Sequence, residues 1–447
     1  MGMSSKTMAI AVAAILLVVV AGAGIYFLNK DDNGGTRNAD TDFENMTWGD
    51  VLTEARGQTV NFYFWDGSST INDFVDNDVA NEAAKYGITL NRVGVPTGPT
   101  IVQKVGSEVD AGITSGGSVD LAWLNGANFS ELKAKNQLFG PWSQMIPNSV
   151  LVDWSIEAIS NDMGDPVEGL ESPWGTAQMQ FIYNGDFSSA DSSGNGYVDF
   201  IELLDWCKAG GNFTYPDPSG NDNFFGFGFI KSVMYELQSD GAGGYKLYEG
   251  DKQDGIERFA VGNTNFTNQA EFETFTQYAW KYLADLHPHL YSTSGKYPDR
   301  SVISDLMMAG AGDFLYMTYS SSGITMDINA GILPADAKTQ KMNTGLSDTS
   351  YVLIPSNASS KAAAMVVANI LLQPDMQAMW MMKAGDGLAI DLGKLTEPMK
   401  ELFDSYDERL PGSYLGQEDL KFANAPDICG YINPWIANIW KVKIQIL

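Results

Sequence analysis

The sequence predicts an α/β fold built from more than one domain. Three observations lead there. Strand-like and helix-like runs alternate from Thr59 to Leu372, the chain has 447 residues, and its middle carries a bent strand suited to pass from one lobe to another. Alternation of this kind implies a parallel or mostly parallel sheet. A chain of this length exceeds a single core and fits about two or three domains. Hydrophobic residues make up 44% and aromatic residues 12%, enough to bury sizeable cores.

The first strand is Thr59 to Trp65 (TVNFYFW), a run of strand formers that ends in Asp66-Gly67-Ser68-Ser69. Ser69 is expected to cap a helix whose apolar face is Ile71, Phe74, Val75, Val79 and Ala83, stopped by Gly87. Ile88 to Val95 is the second strand. Thr100 to Ile113 is a helix, with Ile101, Val102, Val105 and Val109 at helical spacing. Val119 to Leu124 is the third strand, followed by Asn125-Gly126-Ala127-Asn128. In such sheets ligands bind beyond the carboxyl ends of strands. That rule points to Trp65–Ser68 and Asn125–Phe129.

Ser172 to Asp186 (SPWGTAQMQFIYNGD) is the crossing strand, bent at Pro173 and Gly175. Trp174, Thr176 and Gln178 would then stand where two lobes face each other. Beyond it, Phe200–Ala209 and Phe272–Leu286 read as helices. Phe213–Pro218 reads as a strand entering a loop, and Asn223–Ile230 is rich in Phe and Gly. Phe314–Tyr319 is a strand, and Ser320-Ser321-Ser322-Gly323 marks the return crossing. Tyr351–Pro355 is a further strand. A helix Lys361–Leu372 follows, then one from Pro374 to Lys383, and Gly385-Asp386-Gly387 offers a third crossing.

Charge narrows the function. There are 55 acidic residues against 27 Lys and Arg, a net charge of −28, which argues against nucleic acid as a partner. Thr7–Leu28 is an uncharged apolar run, long enough to span a bilayer and preceded by Lys6. The positive-inside rule puts the rest of the chain outside the cell, with residues 1–28 as anchor and 29–57 as tether. A cleaved signal peptide is the competing reading. Of the two cysteines, Cys207 lies in a helical pattern and reads as a buried free thiol rather than half of a bridge with Cys429. Enzyme motifs are absent: there is no GxSxG elbow and no P-loop, and His287 and His289 flank a proline.

Asp191-Ser-Ser193-Gly-Asn195-Gly196-Tyr197-Val198-Asp199-Phe-Ile-Glu202 matches a twelve-residue calcium loop. Side-chain oxygens fall at Asp191, Ser193, Asn195, Asp199 and Glu202, and Tyr197 offers its carbonyl. With three carboxylates, millimolar affinity is expected. The same residues also read as a plain loop before a capping box, Asp199-x-x-Glu202.

Taken in order, VDLAWLNGANFSELKAKNQLFGPW, SPWGTAQMQFIYNGDF, NFTYPDP and SYVLIPSNASSKAAAMVVANILLQPDMQAMW resemble extracellular solute-binding proteins (family 1) of ABC importers, over roughly residues 58 to 395. The likeness is strongest to the branch with thiamine, polyamine and iron receptors, and within it to a thiamine-receptor subgroup. It implies a two-lobed periplasmic-binding-protein-like fold of type II, with hinge strands joining the lobes. Lobe 1 would be residues 58–172 plus 325–385, and lobe 2 residues 173–324 plus 386–447. It also implies a small-molecule ligand, an ABC permease as partner, a monomer, and no required cofactor.

Carried onto this chain, the family's ligand positions are Trp65, Asp66, Gly67, Ser68, Asn125 and Asn128 in the first lobe. Trp174 and Thr176 stand at the hinge, with Tyr215, Phe225 and Gly226 in the second lobe and Tyr319 and Ser320 at the return crossing. Aromatic walls with Asp66 or Asp386 suit an organic cation, thiamine-like or other. Iron fits poorly, because no Tyr-Tyr pair exists in the sequence and both histidines fall in one short run. The Ser68-Ser69 loop leaves an oxyanion open. Alternative functions are a secreted glycan hydrolase and a surface adhesion or scaffold protein.

Overall fold

Thr59–Trp65 forms where β-branched and aromatic residues crowd, and Val60, Phe62 and Phe64 point into apolar surroundings on alternate positions. The structure is a computed structural model. It describes residues 43–185, 187, 189–220, 223–260, 266–292, 296–318, 324, 327–328, 330–383, 387–407, 424–426 and 430–445. The chain divides into two compact units. Unit 1 holds the described residues up to Asp153 together with Val167–Trp174 and Tyr351–Gln377. Unit 2 holds Trp154–Pro166, Gly175–Ser350 and the described residues from Ala378 on.

In unit 1 Thr59–Trp65 pairs in parallel with Thr89–Val95, setting Trp65 against Val95. Its other edge pairs in parallel with Leu121–Trp123. Val352 and Leu353 then run antiparallel to Trp123 and Ala122. The helix predicted after Ser69 is present, and its whole apolar face, Ile71 to Ala83, is buried. Its cap is Ser68 rather than Ser69: Ser68 Oγ accepts from the Ile71 amide at 3.4 Å. The helix Gly98–Asp110 carries Pro99 in its first turn and buries Ile101, Val102 and Val105 against the sheet.

Lys361–Leu371 is buried from Ala362 to Leu371, so its alanines serve close packing on all sides. Its N-terminus rests on Asp120, a fully buried carboxylate. Asp120 Oδ1 accepts from Ser359 N (3.0 Å), Ser359 Oγ (2.6 Å) and Ser360 N (2.9 Å). Asp120 Oδ2 accepts from Asn61 N (2.9 Å) and Asn61 Nδ2 (3.1 Å). One side chain thus ties the first strand, the third strand and this helix together.

Unit 2 contains a four-stranded sheet in the order Leu315–Thr318, Gln180–Tyr183, Lys338–Met342, Tyr197–Val198. Successive residues of Gln180–Tyr183 serve opposite faces. Phe181 joins the core formed with helices Phe200–Lys208, Gln277–Leu286 and Asn433–Lys443, whereas Ile182 packs with Ile303, Met307 and Tyr316. Cys207 is a free, buried thiol whose pKa burial pushes up to about 12.

The chain passes between units within two strands. Glu171–Gln178 changes unit between Trp174 and Gly175, and Gly345–Leu353 between Ser350 and Tyr351. The described residues of 325–350, expected in the first lobe, fall in unit 2 because Lys338–Met342 pairs antiparallel with Gln180–Tyr183. Residues 154–166 also fall there, and the Ala158 carbonyl accepts from Thr349 Oγ1 at 2.6 Å. The last passage lies between Gln377 and Ala378, inside the helix Pro374–Lys383, rather than at 385–387. Thr7–Leu28 and Cys429 lie outside the described residues. No helix among the described residues is long and apolar enough to cross a membrane.

Candidate functional site

The carboxyl ends of the unit 1 strands carry Trp65, Asp66, Gly67 and Ser68. Trp65 ends its strand with 48% of its surface exposed. The Asp66 backbone is pinned on both sides: its amide donates to Val95 O at 3.4 Å and its carbonyl accepts from Asn72 Nδ2 at 2.9 Å. The Asp66 carboxylate is exposed and meets no hydrogen-bond or ion-pair partner among the described residues. Ser68 is engaged as the helix cap.

Asn125 and Asn128 stand at the end of the third strand but serve the fold. Asn125 Oδ1 accepts from the Tyr351 amide at 3.2 Å, and Asn128 Nδ2 donates to Asn125 O at 3.4 Å. Trp174 is buried, 1% exposed, in a ring cluster with Trp123 (5.0 Å), Phe62 (5.9 Å) and Phe64 (6.5 Å). The expectation that it lines a site meets a side chain already enclosed by its own unit. Trp123, half-buried at the same strand ends, was absent from the sequence-derived set.

In unit 2, Thr176 is buried and fully engaged. It exchanges backbone bonds with Gly387 (3.0 and 2.6 Å), and its hydroxyl donates to Leu388 O at 3.2 Å. Tyr215 has no exposed surface, stacks on Phe229 at 4.5 Å and accepts from Trp440 Nε1 at 3.0 Å. Burial pushes its phenol far above the ordinary range. Phe225 is half-buried against the same core, and Gly226 lies against the Pro216 carbonyl. Tyr319, Ser320 and Asp386 lie outside the described residues.

The 191–202 loop is closed by its own hydrogen bonds. Asp191 accepts from the amides of Asn195 (3.1 Å) and Gly196 (2.8 Å), and from Ser193 Oγ at 3.3 Å. Asn195 Oδ1 accepts from the Tyr197 amide at 2.8 Å. Glu202 accepts from Ser193 N (2.8 Å) and Ser192 Oγ (2.9 Å), and forms the predicted capping box with Asp199. No group of three or more His, Cys, Asp or Glu is gathered for a metal among the described residues.

The family model for the bacterial extracellular solute-binding protein matches residues 79–390. The chain belongs to this family. As a solute-binding protein, it has its described domains outside the cytoplasm, and its family serves as the solute-binding component of ABC transporters. Protein YnjB of Escherichia coli K12 is 32% identical over 394 residues, covering 86% of this chain and 91% of that protein. Among solved structures, the spermidine/putrescine ABC transporter substrate-binding protein PotD of Streptococcus pneumoniae, in complex with calcium and HEPES, aligns at TM-score 0.55 and 12% identity. The alignment covers 87% of this chain and 99% of that one. The Bordetella ferric binding protein aligns at TM-score 0.54, also with 12% identity and 87% and 99% coverage. These structures share the solute-binding protein's two-lobed α/β fold.

Proposed function

We propose that this extracellular protein captures a small organic cation, thiamine-like or other, and delivers it to the membrane permease of an ABC importer. The observation that carries the reading is the pair at the first strand's carboxyl end: an exposed indole, Trp65, beside the Asp66 carboxylate, which has no partner among the described residues. An aromatic face and a carboxylate both attract a cation, and neither is occupied by the fold. Solute binding favours one arrangement of two lobes by its differential affinity for that state. The lobes would be joined by the strands that change unit, and the chain would act as a monomer tethered through residues 7–28. The PotD protein, whose solute is a polyamine, shares the fold and supports the transport role.

Trp65→Ala should weaken cation binding about tenfold with an unchanged melting temperature, since a cation–π contact that is desolvated when the solute binds is worth about 1–2 kcal/mol. Calorimetric titration with thiamine, spermidine, a sugar panel and oxyanions tests this. Binding confined to sugars or oxyanions would overturn the cation reading, and binding of none of them would favour a scaffold.

The 191–202 loop forms part of the same proposal as a weak calcium seat. Its hard oxygen donors suit calcium, and its self-bonded form gives the ion a ready frame. At ten times its dissociation constant calcium would add about 1.4 kcal/mol of stability. Millimolar calcium should therefore raise the melting temperature of the wild type and leave that of Asp191→Asn unmoved. Equal shifts in both would remove the loop as the seat.

A further inference from the structure

The cation reading can be sharpened from the backbone beneath Trp65 and Asp66. We propose that unit 1 reads a singly charged cation with a flat, delocalised face, and that Gly67 and Gly94 determine this by making room for the Trp65 ring and the Asp66 carboxylate. The inference rests on the proposed capture of an organic cation.

An exposed tryptophan on its own is unremarkable, since single apolar side chains are common on surfaces. What distinguishes Trp65 is the way its ring is held. A Cβ at residue 67 would lie 1.9 Å from Cζ2, 2.3 Å from Cε2 and 2.7 Å from Cη2 of the Trp65 ring. The indole therefore lies against the bare backbone of its own loop. One side is backed by Gly67 while 48% of the residue remains open. A backed ring with an open face is a stacking platform for a flat partner.

Asp66 is arranged in the same way. A Cβ at residue 94 would lie 2.4 Å from Asp66 Oδ2 and 2.7 Å from its Cβ. The carboxylate thus lies over the adjacent strand at the one residue without a side chain. Its backbone is tied at both ends, while its carboxylate oxygens meet no hydrogen-bond partner among the described residues. A glycine inside a strand often marks such a close approach.

The charge count sets the valence. The strand-end segments 65–68, 95–98 and 123–128 contain no Lys, no Arg and no acidic residue besides Asp66. In these segments an anionic solute would meet a carboxylate and no cation, and the nearby Arg92 is already paired with Asp76. A polyamine would find at this edge one carboxylate for its several ammonium groups. A single delocalised charge on a flat ring matches one carboxylate beside one indole.

The test is calorimetric titration of the full chain with thiamine (flat, one positive charge), choline (one charge, not flat) and spermidine (several charges). Wild type is expected to bind thiamine at least tenfold more tightly than choline or spermidine. Gly67→Ala pushes the ring off its backing without removing any chemical group, and should weaken thiamine binding about tenfold at an unchanged melting temperature. Gly94→Ala displaces the carboxylate and should do the same, with a loss that shrinks as salt is raised. If Gly94→Ala lowers the melting temperature, Asp66→Glu moves the charge by one methylene on an unaltered strand and should give the same weakening. Tighter binding of spermidine would overturn the inferred class. Thiamine binding that falls in Trp65→Ala and Asp66→Asn but not in the glycine variants would overturn the role of the glycines. If no cation binds the wild type, the cation reading of the site itself fails.

Discussion

Replacing Asp120 by alanine is expected to lower the stability of unit 1 by roughly 3–5 kcal/mol, among the largest effects of any single change. The carboxylate accepts five hydrogen bonds, three of them from backbone amides at Asn61, Ser359 and Ser360. Alanine would leave the buried Ser360 amide and the part-buried amides of Asn61 and Ser359 without this acceptor, and each such loss in a buried setting costs about 1–3 kcal/mol. It would also remove the acceptor at the start of the helix Lys361–Leu371. Urea denaturation of the two proteins measures the difference. A loss below about 1 kcal/mol would mean that water or a neighbouring group takes over these donors.

Trp174→Ala should cost a similar amount, about 3–5 kcal/mol, by leaving a cavity among Phe62, Phe64 and Trp123. Trp174→Phe should recover much of it, because it restores part of the ring volume. Solute affinity, measured where the variant is folded, should stay within a few fold of wild type. Trp65→Ala should behave in the opposite way, losing affinity and keeping stability. If Trp174→Ala kept its melting temperature and lost the solute, the buried tryptophan would belong to the site after all.

These two tryptophans show what the sequence could and could not reveal. Both end or interrupt strand patterns, and both look like ligand walls in a linear reading. Only the packing separates them: Trp65 lies past the last covered position of its strand, whereas Trp174 sits where the strand is covered on both faces. Tyr215 was ambiguous for the same reason, and its partner Trp440 stands 225 residues away. The helix face Ile71 to Ala83 was legible because its signal is local and periodic. Asp120 was invisible as a keystone, since its partners lie 59 and 239 residues distant. Gly94 did carry a signal, a glycine interrupting a strand, but nothing nearby named Asp66 as the group it admits.

The segment order of unit 1 has a consequence for synthesis. Its first three strands are complete by Trp123, yet the helix that covers them spans Lys361–Leu371. Ala363 donates to Gln58 Oε1 across 305 residues of chain. The nascent chain must therefore carry an uncovered sheet edge and an unmet Asp120 until more than three-quarters of it has left the ribosome. Closing so distant a contact is slow, and the intermediate exposes apolar surface to aggregation. The same delay keeps unit 1 from closing through most of the chain's elongation, and an unclosed domain is the form most easily threaded across a membrane.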